Sequence, residues 1–597
     1  MDRHPLLRDR DVSFLTREVF DLAALCELPG YAHHDPETFD MYIDAARQLA
    51  RTRLYPLFKE MDASPPTFDG TRVRVHPRMR ACYDAMVELG VLTASRPEEV
   101  GGARLPHTIV TLANLHLMAA NAGAAGFALL TTGAAHLIEA FGDDSLKARF
   151  MTPMYEGRWT GTMALTEPHA GSSLAEITTR ATPSGDGSYR VRGSKIFISG
   201  GDHDLRENVV HMTLGRIDGA PEGIKGVSLF CIPQRRPEGD DLIDNDVHTT
   251  QLIHKIGWKA LPSVALGFGE RDDCHGWLVG EPGQGLKYMF QMMNEARLMV
   301  GANGVATASA GYHASLDYAM TRRQGRRLDG EGGANTRGEQ GGALLVEHPD
   351  VRRMLLRQKS IVEGGLALLI LTGRYADLAE AGDEATRARA AGVLDLLTPV
   401  AKSFPAEWGF ESNSLALQIL GGYGYTTEYL PEAWLRDQRL NAIHEGTTGI
   451  QGLDLLGRKV MAGAGQHLRA LLEELSADVA AARDLPALRG HVDALAAACA
   501  AIGSTTATLG ARGMARDAVG MLAHADDYLR ALSVTLVGWM WIKQAAAALR
   551  EPLDPFRAGK VAACDYWFSA ELPRVGPWLS ACEQGNAGFE CLDPAAL

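Results

Sequence analysis

Apolar residues in the first quarter of the chain recur at helical spacing. In FDMYIDAARQLARTRLYPLFKEMD, Phe39, Tyr42, Ile43, Ala46 and Leu49 share one face, which predicts helices from about Asp35 to Met154. The turn-forming PEEVGGARLP (Pro97–Pro106) interrupts them, and the small residues of Ala119–Gly133 permit close approach of a backbone or a ligand. From about Trp159 to Phe268 the period shortens to two. SYRVRGSKIFISGG sets Tyr189, Val191, Ile196 and Ile198 among polar residues, and Val209–Leu214, Gly226–Ile232 and Ala265–Phe268 read as further strands. Helical periodicity resumes at Gly285 and runs to about Ala462, broken by the Gly-rich Gly330–Gly342, expected as a surface loop. Gln466–Leu549 is Ala- and Leu-rich helix, and the tail Glu551–Leu597, with its Trp and Pro residues, is expected to dock on the body.

Composition narrows the class. The 597 residues are 46% hydrophobic and 22% charged, ordinary for a globular protein and enough for several domains. The net charge of -14, with no basic stripe, disfavours nucleic acid as a partner. Eight scattered cysteines without a CxxC pair argue against a zinc ribbon or a disulfide framework. The N-terminus lacks the apolar run of a signal peptide, and runs such as Leu366–Leu371 and Ala545–Leu549 are too short to cross a bilayer, so a cytoplasmic location without a transmembrane segment is expected.

Five segments can carry chemistry. MALTEPHAGSSL (Met163–Leu174) offers the hydroxyls of Thr166, Ser172 and Ser173 to a polar ligand edge, or is simply a polar loop. KIFISGG (Lys195–Gly201) places Phe197 beside a hydroxyl and two glycines, as core residue or ligand contact. The cluster Arg322, Arg323, Arg326 and Arg327 suits a pyrophosphate or a solvated face. QILGGYGY (Gln418–Tyr425) has glycines but neither a GKS/T nor a GxGxxG setting, which excludes Walker and Rossmann sites. In IHEGTTGIQ (Ile443–Gln451), Glu445 precedes a helix start, where alone it reads as an electrostatic cap. No HExxH or GxSxG occurs, and no metal is expected.

In order and spacing, MALTEPHAGSS, YRVRGSKIFISGG, QILGGYGYTTEY, LRDQRL and IHEGTTGIQ, supported by PEEVGGARLP and EHPDVRRML, resemble the acyl-CoA dehydrogenase family over roughly Asp35 to Met461. Length, insertion and extra C-terminal helices are most similar to its long bacterial branch, which includes methylmercaptopropionyl-CoA dehydrogenase-like enzymes. The resemblance implies a mainly α protein with a central β-domain: an N-terminal extension and helical domain (1–160), a middle β-barrel or sandwich (161–275), a C-terminal helical bundle (276–462) and an additional helical domain with the tail (463–597). It further implies FAD. Leu165, Thr166, Gly171 and Ser172 would approach the isoalloxazine and thioester, Phe197 and Ser199 the ring, and Arg322 the pyrophosphate. Gln418, Gly421 and Gly422 would contact the cofactor of a neighbouring subunit in at least a homodimer, with Thr447 closing that site. Ser172, Arg297 and Gly446 would contact substrate.

Glu445 matches the family's catalytic base. The alternative position in some members, just before the arginine matching Arg297, is Ala296 here, which accepts no proton, and Glu295 faces elsewhere on a helix. The implied reaction has Glu445 abstracting the α-proton of an acyl-CoA while the β-hydride passes to flavin N5, giving the trans-α,β-enoyl-CoA. Electrons then go to electron-transfer flavoprotein; an acyl-CoA oxidase, making hydrogen peroxide from oxygen, is the alternative. His169, Ser173, His444 and Gly449 depart from common family residues, which bears on chain length and branching of the substrate rather than on the reaction. Trp539 and Trp541 in the added helices read as packing residues.

Overall fold

The computed structural model describes residues 6–328, 342–585, 588 and 592–596. The Gly-rich insertion, apart from Gly342, lies outside the described residues, as does Cys591. The chain forms two compact units: a β-containing unit of Asp40–Leu105 and His116–Ala296, and a helical unit of Met1–Phe39, Pro106–Leu115 and Arg297–Leu597.

The β-unit takes in most of α1 (Pro36–Leu49), α2 (Tyr55–Ala63), α3 (Met79–Glu88) and, from His116 onward, α4 (His107–Phe141). Asn121 breaks the helical geometry of α4, and its Oδ1 accepts the Ala124 N–H at 3.0 Å, capping the second half. The small residues of that half serve backbone approach: a Cβ on Gly123 would lie 2.9 Å from Ala260 Cβ and 3.3 Å from Leu261 N.

One sheet of eight strands follows: β1 (Thr160–Ala164), β2 (Arg180–Pro183), β3 (Tyr189–Ser199), β4 (Val209–Ile217), β5 (Val227–Pro233), β6 (Val247–Leu252), β7 (Ser263–Phe268) and β8 (His275–Leu278). Their order is β6-β7-β3-β8-β5-β4-β1, and β2 pairs with both β3 and β4. The ring β3-β8-β5-β4-β2 therefore closes on itself as a small barrel, with β7, β6 and β1 extending it. β1 and β2 run parallel to β4; the other pairs are antiparallel. Val191, Phe230, Ile232, Val264 and Leu266 belong to one core, and Met212, Leu229 and Cys231 to another shared with α4.

The helical unit is built on α5 (Gly285–Thr321), α6 (Pro349–Ala381) and α7 (Glu384–Leu420), then α8 (Pro431–Arg439) and α9 (Thr448–Asp454). α7 stays helical through Pro399 and Pro405. Pro399 has no N–H for the carbonyl of Asp395, and Lys459 Nζ supplies the missing donor at 2.7 Å. Glycines let α5 lie on this stretch: a Cβ on Gly301 would sit 2.1 Å from Ala401 O, and one on Gly304 2.8 Å from Pro405.

The added helices are α10 (Gln466–Ala480), α11 (Arg489–Met514), α12 (Ala525–Ala548), α13 (Pro555–Tyr566) and α14 (Val575–Gln584). α12 is buried almost all round and seats on Gly364 of α6. Trp541 Nε1 donates to Ser360 O at 3.0 Å and Trp539 Nε1 to Asp478 at 2.7 Å, so both indoles pack as expected. The N-terminal segment joins the same body. Lys560 of α13 bridges Asp11 and Glu363, each at 2.8 Å, with all three side chains buried.

α4 and α11 are long and apolar enough to cross a membrane by length and composition. A search for unbroken apolar runs overlooks them, because interspersed Gly, Ser and Thr dilute the run without making it polar. Of their most apolar windows, 67% is buried in α4, as in a core helix, and 28% in α11.

Candidate active site

In the β-unit, the loop after β1 is fastened to β3. Ile196 N–H donates to Thr166 O at 2.9 Å, and Lys195 Nζ donates to Leu165 O at 3.0 Å and to Glu167 Oε1 at 2.9 Å. The backbone N–H groups and hydroxyls of Thr178 and Thr179 complete the shell around the Glu167 carboxylate. Burial opposes ionisation of Glu167, but Lys195 and these donors prevail and bring its pKa down to about 2; burial brings Lys195 down to about 8. Sequence reasoning missed this pair although both residues lie in the quoted motifs. The signal was parity: Val191, Gly193 and Lys195 face one side of β3, and a lysine on the inward face needs a counter-ion.

By the same parity Phe197 belongs inside. Instead, Ile196 and Phe197 together oppose the single residue Ala265 of β7, a bulge that shifts the register. Phe197 takes φ +61° and is 62% exposed. Its neighbour Ser199 is half-buried and accepts through its carbonyl from Thr162 Oγ1 at 2.6 Å. Leu165 is buried, Thr166 half-buried, and Gly171 and Ser172 are exposed. The loop carrying Leu165, Thr166, Gly171 and Ser172 is thus fastened to the strand that bears Phe197 and Ser199.

In the helical unit, Glu445 (φ +53°) and Gly446 (φ +84°) are consecutive left-handed residues between α8 and α9. Three side chains hold the turn. Lys402 Nζ donates to Gly446 O at 2.8 Å, Gln451 Nε2 to Glu445 O at 3.0 Å, and Thr447 Oγ1 accepts the Ile450 N–H at 3.3 Å as the cap of α9. Thr448 Oγ1 donates to Glu407 at 2.6 Å. The carboxyl and backbone N–H of Glu445 take no hydrogen-bond partner among the described residues. Burial pushes the carboxyl pKa up to about 7 against the pull of Arg297 and Lys402. A carboxyl at that value accepts a proton at neutral pH. Arg297 is itself buried, with Nη1 3.4 Å from Asp454. Glu295 is committed to His136 at 2.8 Å, and Ala296 is buried.

The remaining residues gather at another end of the helical unit. Arg322, just beyond α5, is exposed and has no acceptor for its guanidinium among the described residues, whereas Arg323 donates to Gly342 O at 2.9 Å and Arg327 lies 3.3 Å from Glu347. Gln418 is exposed in the last turn of α7, which Gly421 terminates at φ +61°. Space around Gly421 and Gly422 is open, while a Cβ on Gly424 would strike Leu417 O at 2.2 Å. Tyr429 ties this turn to α5 through ring contacts with Tyr423 (5.4 Å) and Tyr318 (5.7 Å). The exposed Phe197 ring is of a kind that suits a flavin, and in the helical unit the exposed Arg322 is of a kind that suits a pyrophosphate.

Comparison with known proteins gives the family. Residues 36–158, 162–270 and 334–461 match the N-terminal, middle and C-terminal domains of acyl-CoA dehydrogenase, and 471–591 match an acetyl-CoA dehydrogenase C-terminal-like domain. The chain is 38% identical to 3-methylmercaptopropionyl-CoA dehydrogenase of Ruegeria pomeroyi over 78% of each chain. It is 32% identical to a broad-specificity linear acyl-CoA dehydrogenase of Mycobacterium tuberculosis, over 97% of this chain and 98% of that one. The fold is similar to that of an acyl-CoA dehydrogenase from Bacillus anthracis complexed with FAD, with a TM-score of 0.74 at 21% identity over 97% of this chain and 93% of that one. With all three family domains matched in order and a relative aligned along nearly its whole length, the chain belongs to the acyl-CoA dehydrogenase family.

Proposed function

We propose that Glu445 is the base that removes the α-proton in the acyl-CoA dehydrogenation this enzyme performs. FAD is the family's cofactor and, when bound, supplies the acceptor for the β-hydride. The observation that carries the reading is a buried carboxyl without a hydrogen-bond partner among the described residues, with a pKa raised to about 7, on a left-handed turn held by three side chains. As the α-proton leaves, negative charge develops on the thioester oxygen, and the uncommitted N–H of Glu445 is the donor proposed for it. Arg297 adds positive charge beside the carboxyl, and Gly446, where a Cβ would meet Gln451 Nε2 at 2.5 Å, is proposed as a further substrate contact.

Within the β-unit, Leu165, Thr166, Gly171, Ser172, Phe197 and Ser199 are proposed as flavin and thioester contacts. Arg322 is proposed for the pyrophosphate. Gln418, Gly421 and Gly422 are proposed to meet the cofactor of a second subunit in a homodimer, because they are exposed and unobstructed, and Thr447 is proposed to help close that site. Electron-transfer flavoprotein is the proposed acceptor and the cytoplasm the proposed location.

An anaerobic titration of the purified yellow protein with acyl-CoAs of increasing length, 3-methylthiopropionyl-CoA among them, tests the reading. The flavin absorbance bleaches with substrate, and Glu445→Gln retains bound FAD but loses turnover by about a thousandfold or more. Because Glu445 must be ionised, kcat/KM of the wild type rises with pH through about 7. Near-normal turnover in folded Glu445→Gln places the base elsewhere, and peroxide formed stoichiometrically under air makes the enzyme an oxidase.

A further inference from the structure

We infer that Lys402 is a positioning residue for the base: its ammonium, anchored on the Gly446 carbonyl, holds the left-handed Glu445–Gly446 turn and places a positive charge where the carboxylate forms. The inference rests on the reading of Glu445 as the base. It starts from a comparison among buried lysines. Lys195 contacts Glu167 at 2.9 Å, Lys459 contacts Asp395 at 2.8 Å, and Lys560 contacts Asp11 and Glu363 at 2.8 Å. Each neutralises its charge on a carboxylate at hydrogen-bond distance, as a structural lysine in a core must. Lys402 is equally buried, yet its one hydrogen bond among the described residues goes to a neutral carbonyl, Gly446 O at 2.8 Å.

The carboxylates in its field are Glu445 and Glu407. Glu407 already accepts from Thr448. Glu445 therefore is the group left to balance the ammonium, and it does so best when ionised. The other charges around the turn are engaged. Arg297 from α5 meets Asp454, and Asp454 also meets Arg458 and Lys459. Asp526 of α12 faces Glu407 and has Arg530 within its field. A bond to the carbonyl of one turn residue, with Gln451 on the other, also resists relaxation of the strained φ at Glu445.

The test uses the purified holoenzyme. Lys402→Met should keep its flavin, while the acid limb of kcat/KM moves to higher pH by about one unit, since losing a cation makes the carboxyl harder to ionise. Turnover at pH 7 should fall about fivefold with it. Lys402→Arg, which keeps the charge, should hold the limb near its wild-type position. If Lys402→Met does not fold, Lys402→Gln, which keeps a donor for Gly446 O without the charge, is read by the same limb. An unmoved limb and wild-type turnover in a folded, charge-free variant overturn the inference. Loss of the base reading shows differently, as an active Glu445→Gln.

Discussion

Glu445 and Phe197 share a property that neither hydrophobic period nor composition reveals, a positive φ at a residue carrying a Cβ. Such backbone is costly, and seven other described residues carrying a Cβ share it, so the sign of φ by itself singles out no site. Glu445 and Phe197 were both singled out through IHEGTTGIQ and KIFISGG, but the bulge that turns Phe197 outward was not legible, because alternation along β3 assigns it inward. Glu167 was passed over for a related reason: one sequence shows a charge, not its burial. Replacing Glu167 by Gln leaves Lys195 buried without its counter-ion and should cost about 3 kcal/mol, measured by urea unfolding at neutral pH. The depressed carboxyl also sets a direction. Its contribution is present above about 4.5 and fades as pH falls through about 2, so wild type and variant should converge in stability toward strong acid.

At the scale of elements, α5 and α7 depend on a close contact that apolar periodicity does not encode. Gly301→Ala drives a Cβ against the Ala401 carbonyl, and backbone must move to admit it; destabilisation of about 3 kcal/mol is expected, with a lowered Tm as the readout. Strands with alternating burial, such as β3, and uniformly apolar ones, such as β5, were legible. The polar VHTTQL of β6 and the four-residue β8 were not, because pairing rather than pattern makes them strands. α7 stays helical through Pro399 and Pro405 although prolines disfavour a helix interior, and Lys459, from more than fifty residues later, supplies a donor at the first of them. Local rules cannot anticipate such distant compensation.

Over the whole molecule, the succession of helical, β and helical segments was open to reading, whereas the membership of the first forty residues in the helical unit was not. No local pattern in DRDVSFLTREV signals that Asp11 meets Lys560 and Glu363 in a buried cluster. Lys560→Met removes the cation between two buried carboxylates, and a loss of about 3–5 kcal/mol is expected. Limited proteolysis should then cut the N-terminal segment first, while the β-unit keeps its protection.

The same cluster imposes a schedule on synthesis. A ribosome adds about 5–20 residues per second, so Asp11 emerges roughly half a minute to two minutes before Lys560. During that interval the β-unit, complete by Ala296, has all its residues available, but the leading segment has no counter-ion and must wait in solvent or in the keeping of a chaperone. Emergence of α13 is what lets the segment around Asp11 reach its place.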